Sequence, residues 1–473
     1  MSSTKTKDMI RKAGLLERFH ITRQALGLDT CVVVSARYVF PTDAPSQSLT
    51  PSVLYPALAK LIKSTGALCV CVAYSPSACK KPAFVPLHSI NLDKVVQFTH
   101  DPTSLQDVLE QQIAVPFDIN ATDRPLWRLT VLPDNTVVFA YQHGIGDGLS
   151  GRAFHLCLLE ALRAPSAESQ GKSELASPIV DIPATVSLVP PLEKLTKLSV
   201  SFKQLLHEVT PHSPPSTAWR GNPVVPRSPE QKNHVRLLSY SPADSQILAA
   251  LSRSHSATIT GALHVVAAQA LARVLSLPDL SGKYDFVPFQ IPMSLRPLTN
   301  QPPTALCDHV SNHIFLCPLP PARSKDDPFV FDEASWRAAA ELSATLRATR
   351  DKSRSYVAML RFVALVGGYR TYFKGKLNKE REGGLALINL GAFPKSHIPS
   401  PGGSALTIAD MAFTQEDGVV GEPMKINVIG GGDGSLTITC SWSDSQFHKS
   451  LGEMFAVKLD EGVKTLVASK LEP

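Results

Sequence analysis

Long hydrophobic runs are missing from this chain of 473 residues. The longest, YVAMLRFVALVGGY from Tyr356, is interrupted by Arg361 and falls short of the ~20 residues a membrane-spanning helix needs, so no transmembrane segment is expected. Clustered positive charge is missing as well: 47 Lys and Arg stand against 41 Asp and Glu, and the resulting surplus is not gathered into one run. Nucleic acid is therefore not an expected partner. The N-terminal MSSTKTKDMIRKAG lacks the apolar core of a secretory signal, which makes the cytoplasm the expected compartment. The eight cysteines show no metal-binding spacing, since Cys69 and Cys71 are separated by one residue and a zinc pair usually needs two or more. Free buried thiols and no metal are the expectation. No serine sits in G-x-S-x-G and no H-E-x-x-H occurs, which removes the elbow hydrolases and the zincins.

What is present is globular material. A hydrophobic share of 44% with 19% charged residues and no long polar tract excludes a disordered chain, and the length exceeds one ordinary core. The first half reads as mixed α/β. CVVVSARY from Cys31 and ALCVCVAY from Ala67 are strands, and TPSVLYPALAKLIKS from Thr50 is a helix with Pro at its first position. Residues 165–232 shift toward Pro and Ser and read as a crossover linker; within it LEKLTKLSVSFKQLLHEV from Leu192 has helical spacing. The second half alternates again, with a strand at VRLLSYS, a helix from Thr260 capped by that threonine, a strand at YDFVPFQIPMSLRPL and a hairpin at MKINVIGGGDGSLTITCSW. The expected organisation is an N-terminal subdomain 1–164, the linker 165–232 and a C-terminal subdomain 233–473.

One segment speaks to chemistry. RPLWRLTVLP and TVVFAYQ form a hairpin around Pro133-Asp134-Asn135, and the second strand runs into YQHGIGDGLSG. Alternation places Val137, Phe139, Tyr141 and His143 on one face, Val138, Ala140 and Gln142 on the other. Beyond the glycines, Leu149, Ala153, Leu156, Leu159 and Leu162 recur at helical period. His143 thus stands at a strand-to-helix joint, where an imidazole near neutrality takes and returns a proton. A core histidine satisfied by backbone carbonyls is the competing reading. Asp147 precedes the helix and suits an N-cap, a role compatible with also facing an arginine. Gly144, Gly146 and Gly148 either permit the turn or expose N–H groups to an oxyanion. SLRPL leaves Arg296 at a strand end. The glycines at Gly430, Gly431, Gly432 and Gly434 join two strands and lack the lysine and helix of a phosphate loop. In KGKLNKER, Lys374 and Lys376 either are solvated charge or meet an anionic cofactor tail.

HGIGDG resembles the H-x-x-x-D-G motif of the superfamily that includes chloramphenicol acetyltransferase, plant BAHD enzymes and peptide-synthetase condensation domains. With LLERFHITRQALGLDTCVVVSARY (Leu15 to Tyr38), RPLWRLTVL, IPMSLRPL and INLGAF in order, nearly the whole chain is similar to the fungal alcohol acetyltransferase family. Two motifs depart from the other branches: the doubled histidine of condensation domains is Gln142 here, and the D-F-G-W-G of BAHD enzymes is missing near Gly391. The resemblance implies an α/β fold of two chloramphenicol-acetyltransferase-like subdomains, each a mixed sheet with flanking helices, with the active-site tunnel between them. It implies an acyl-CoA-dependent O-acyltransferase, using acetyl-CoA or another acyl-CoA as co-substrate and a small-molecule alcohol as acceptor. His143 would deprotonate the hydroxyl for direct attack on the thioester, and Asp147 would pair with Arg296. Gly148 N–H and Asn389 would face the oxyanion, and Lys374 and Lys376 the cofactor. N-acylation of an amine and a catalytically silent metabolite-binding homologue are the alternatives. A monomer is expected, with peripheral attachment to a membrane or lipid droplet left open by IRKAGLLERF and the Leu192 segment.

Overall fold

The computed structural model describes residues 9–41, 47–74, 81–101, 103–164, 177–200, 215–228, 230–365, 367–394, 397, 405–415 and 418–469. Two mixed sheets carry it. The first has five strands in the order Thr407–Gln415, Val32–Val39, Thr136–Tyr141, Trp127–Val131, Val96–Phe98, antiparallel except for the last pair. The second has six, ordered Asn233–Tyr240, Leu436–Ser443, Met424–Gly430, Leu385–Asn389, Phe286–Ser294, Val310–Pro318, with parallel pairing on both sides of Leu385–Asn389. Helices flank both, as expected of this fold class.

The sheets are not confined to their halves of the chain. Thr407–Gln415, from beyond residue 233, hydrogen-bonds along Val32–Val39 with a bulge between Ile408 and Met411, so the second half supplies an edge to the first half's sheet. A partition at residues 164 and 232 leaves this exchange out. Its side chains justify the move: Met411, Ala412 and Phe413 are buried, and burying apolar area is worth about 25 cal/mol per Å².

The central strand of the first sheet shows why a period of two is weak evidence here. Val137, Phe139 and Tyr141 enter one core cluster and Val138 and Ala140 another, so both faces are covered and the strand is apolar throughout. The preceding turn places Asn135 at φ 65°, a conformation that asparagine tolerates better than most residues. ALCVCVAY is a strand only from Val70; Gly66–Cys69 is a 3-10 turn. All cysteines among the described residues are free, and all but Cys157 are buried. The helix from Ile259 to Leu275 is capped by Thr258, whose side chain accepts from Gly261 N, and not by Thr260. Thr260 already lies inside the first turn, and its hydroxyl accepts from Asn389 Nδ2. Of the Leu192 segment, Leu192–Leu195 is helical and Leu192 and Leu198 pack with Leu15, Leu295 and Val357; residues 201–209 lie outside the described set. Among the described residues no single helix is long and apolar enough to cross a membrane.

The N-terminal helix Leu15–Ala25 sets the site. It has little amphipathic contrast, with seven of its residues buried, Glu17, Arg18 and His20 among them, because it is wedged between the His143 turn and the helices Glu333–Leu365 and Gly368–Lys374. Its start is pinned: Glu17 accepts from Gly14 N at 2.6 Å and from Arg11 at 2.6 and 2.7 Å, while Glu193 accepts from Leu15 N.

Candidate active site

A cavity of about 310 Å³ lies between the halves, walled on one side by His143, Asp147 and Gly148 and on the other by Gln290, Asn312, Ile388 and Lys425. The N-terminal helix lines it with Leu16, Phe19, His20 and Arg23, spaced i, i+3, i+4 and i+7 on one helical face. That spacing is readable in the sequence, but nothing local ties the helix to the site, and sequence reasoning misses these four residues.

The strand Thr136–Tyr141 ends at Gln142, whose side chain accepts from Gly144 N at 2.7 Å and closes the 3-10 turn His143–Ile145. Gly144 and Gly146 are needed for room. A Cβ on Gly144 would fall 3.0 Å from Ile21 and 3.3 Å from the Glu17 carbonyl, and one on Gly146 would fall 2.5 Å from Ser150 Cβ. The turn hands His143 to the cavity, and the next helix, Gly148–Arg163, begins beside it.

Asp147 does two jobs at once. Its Oδ1 caps that helix, accepting from Ser150 N at 3.0 Å, and accepts from Arg296 Nη2 at 2.7 Å; Oδ2 accepts from His309 N at 3.3 Å. Arg296 in turn donates to the Ala305 carbonyl at 2.6 Å and to Ser150 Oγ at 3.0 Å. Burial opposes the charge on Asp147, but Arg296 beside it holds the carboxyl below its usual range. The pair joins the halves, and it points away from the role of a proton acceptor.

His143 differs from the chain's ordinary core histidine. At His155, Nδ1 meets Tyr38 Oη at 3.1 Å and Nε2 the Val34 carbonyl at 3.0 Å. At His143, by contrast, Nδ1 is buried with no hydrogen-bond partner on another residue among the described ones, its own backbone being the polar group that acts on the ring, and the ring borders the cavity. Burial first, and then the second imidazole of His20, push its pKa down to about 3, with Asp29 opposing. The ring is therefore neutral at ordinary pH, the form a general base needs. His20 and His143 are stacked with centroids 3.6 Å apart and planes 2° from parallel. His20, His143 and Asp308 bring potential ligand atoms within 4.8 Å of one another, but an imidazole lone pair lies in its ring plane. Parallel planes do not converge on one ion, so chelation requires one ring to turn.

The remaining expected residues divide. Gly148 lines the cavity at the first turn of its helix, where N–H groups are free of intrahelical partners. Lys376 lines the cavity too, 2.5 Å from Glu382 and over the Tyr372 ring. Lys374 is exposed and does not line it. Asn389 is held at the strand end: its amide nitrogen donates to Thr260 Oγ1 at 3.1 Å and its amide oxygen accepts from Gly391 N at 2.8 Å, and it does not line the cavity. Both ends of that side chain serve the strand end. Arg381, at the end of the basic run, is buried and donates to the carbonyls of Asn222, Val419 and Gly421, each at 2.8 Å.

The family model described as alcohol acetyltransferase matches residues 12–457. The chain is 26% identical over 353 residues to a probable alcohol acetyltransferase, crmB, of Aspergillus fumigatus, covering 72% of each chain. To the probable alcohol acetyltransferase FCK4 of Fusarium pseudograminearum it is 23% identical over 472 residues, 94% of this chain and 93% of the relative. Among solved structures, the trichothecene 15-O-acetyltransferase TRI3 of Fusarium sporotrichioides superposes with a TM-score of 0.68 at 13% identity, over 100% of this chain and 97% of that one. TRI101 of F. sporotrichioides, solved with coenzyme A and T-2, matches with a TM-score of 0.55 at 15% identity over 92% and 95%.

Proposed function

Because the chain belongs to the alcohol acetyltransferase family, we propose that it transfers an acyl group, acetyl in the first instance, from acyl-CoA to the hydroxyl of a small lipophilic or secondary metabolite. The observation that carries this reading is His143: a neutral imidazole on the wall of a cavity lined by both halves. That the relative TRI101 was solved with coenzyme A supports acyl-CoA as the donor.

In this reading the acceptor hydroxyl donates its proton to the ring nitrogen of His143 that faces the cavity. Its oxygen attacks the thioester carbonyl in the same step. The tetrahedral oxyanion lies near the helix start at Gly148, where an N–H aimed at developing charge is worth several kcal/mol in a dry site. Collapse breaks the carbon–sulfur bond, and the thiolate takes the proton back from His143. No covalent enzyme intermediate is needed. Asp147 and Arg296 hold the turn and take no part in the proton transfer. Lys376, a cation on the cavity wall together with Arg23 and Lys425, is suited to an anionic part of the donor.

The test is transfer of labelled acetyl from acetyl-CoA to a panel of alcohols and amines, wild type against His143→Ala. Loss of a positioned general base costs about two to four orders of magnitude. A His143→Ala protein that folds normally and transfers at wild-type rate removes the mechanism; labelled amide in place of ester reassigns the acceptor.

A further inference from the structure

We propose that His20 is a positioning residue for His143: its imidazole, held edge-on between Asp29 and Asp308, is the flat support against which the base is registered. The inference rests on the reading of His143 as the base.

An imidazole that must accept a proton from a substrate has to be fixed about its own side-chain bonds. The usual device is a carboxylate hydrogen-bonded to the nitrogen that does not face substrate. At His143 that device is missing among the described residues. Nδ1 meets no side chain, the ring's own backbone is the polar group that acts on it directly, and Asp147, four residues on, is occupied with Arg296 and the helix start. What does touch the ring is His20, face to face at 3.6 Å.

His20 is itself closely packed. It is 7% exposed, on a helix wedged between the halves. Its Nδ1 lies 3.9 Å from Asp29 Oδ2 and its Nε2 3.6 Å from Asp308 Oδ2, longer than hydrogen bonds, so both nitrogen edges face a carboxyl group and the ring is confined by packing and charge. Phe19 packs edge-on at 5.3 Å. Asp308 is buried, and neither of its oxygens has a hydrogen-bond partner among the described residues, so His20 is the group it addresses. Burial drives its carboxyl well above the usual range. Asp29 keeps its charge against Arg23, 3.6 Å away.

The stack also bears on charge. Two parallel imidazoles in contact repel when both are protonated, so the ring beneath the base must stay neutral while the base carries the proton. Around His20 stand Arg23 and Asp29, Lys425 from the second sheet, Asp308 and His143; burial of His20 leads the lowering of its pKa. Asp29 is the anion that offsets imidazolium formation on His143.

Three full-length proteins separate support from simple packing. His20→Phe keeps a flat ring and removes both nitrogens; His20→Asn keeps polarity and removes the ring; wild type is the reference. With acetyl-CoA and an alcohol that wild type acetylates, His20→Asn is expected to lose about 10- to 100-fold in kcat, the scale of small misplacements at a reacting centre. KM for both substrates should stay within about threefold, and His20→Phe should recover most of kcat. Nuclear magnetic resonance of isotope-labelled histidines reads the stack without turnover: the ring-current shift on His143 protons should persist in His20→Phe and vanish in His20→Asn. A folded His20→Asn with wild-type kcat, or a His20→Phe as impaired as His20→Asn, overturns the proposal. If wild type transfers acetyl to nothing, the acyltransferase reading fails while the ring-current measurement still decides the stack.

Discussion

Asp147 Oδ1 lies 2.7 Å from Arg296 Nη2 while also accepting from Ser150 N, so one buried oxygen ties the second half of the chain to the helix that starts beside His143. Removing the charge leaves Arg296 buried with neutral acceptors only, among them Ser150 Oγ and the Ala305 carbonyl. Asp147→Asn is expected to destabilise by about 3–5 kcal/mol, the cost of breaking rather than replacing a buried pair, and to lower kcat through displacement of the turn. Urea unfolding of Asp147→Asn, Arg296→Met and the double variant checks this. If the pair is coupled, the double variant loses less than the sum of the singles; strict additivity would show that the ion pair is incidental.

Much of this joint is legible because it is local. Apolar residues of Thr136–Tyr141, a glycine-rich turn and helical spacing after Gly148 occupy consecutive positions, and each obeys its own period. Arg296 lies 149 residues from Asp147, and only family resemblance links them. Thr407–Gln415 does not announce itself as a strand: a bulge after Ile408 breaks its alternation, and its pairing depends on a tertiary exchange that no local pattern encodes. His20 is hidden for another reason. Its helix is buried on several sides, so polar residues there break the amphipathic signal that marks a helix face.

Asn389 illustrates how resemblance and coordinates separate. Its amide spans Thr260 Oγ1 and Gly391 N, and Gly391 has φ +79°, so the side chain closes a turn after the strand. Asn389→Ala should cost about 1 kcal/mol, the net worth of a typical hydrogen bond, and leave kcat within a few-fold. A loss of 100-fold or more in kcat with unchanged stability would return Asn389 to the oxyanion.

The two lysines of the basic run give a paired comparison. Lys376 is on the cavity wall beside Glu382 and Tyr372, whereas Lys374 is exposed outside it. Lys376→Ala should raise KM for acyl-CoA by about tenfold, a change of about 1.4 kcal/mol, and Lys374→Ala should leave it near wild type. Isothermal titration with coenzyme A reads the same contrast without turnover. Equal effects of both substitutions would mean diffuse charge attraction and no specific contact.

Acid should stop this protein by unfolding it before it protonates the base. His143 has its pKa lowered to about 3, by burial and then by His20; burial lowers His155 and His264 to about 4. A histidine with a depressed folded-state pKa stays neutral in the native chain while the unfolded chain takes up a proton below its ordinary value near 6.5. Its stabilising contribution is therefore complete above that value and is lost as pH falls toward the folded-state pKa. Each such group removes about 1.4 kcal/mol per pH unit over that window. Asp308, raised by burial, works in the opposite direction, against these three and against His20, His309 and His313, which burial also lowers. The activity–pH curve should thus lack a kinetic limb near 6.5, and its acid decline should coincide with loss of tertiary circular dichroism. His155→Asn, which removes one of these titrations, should move the acid unfolding midpoint downward relative to its own stability at neutral pH. A reversible fall in kcat/KM centred near 6.5, in protein that circular dichroism shows to be folded, would mean that His143 titrates as an exposed imidazole and that its burial beside His20 does not control the base.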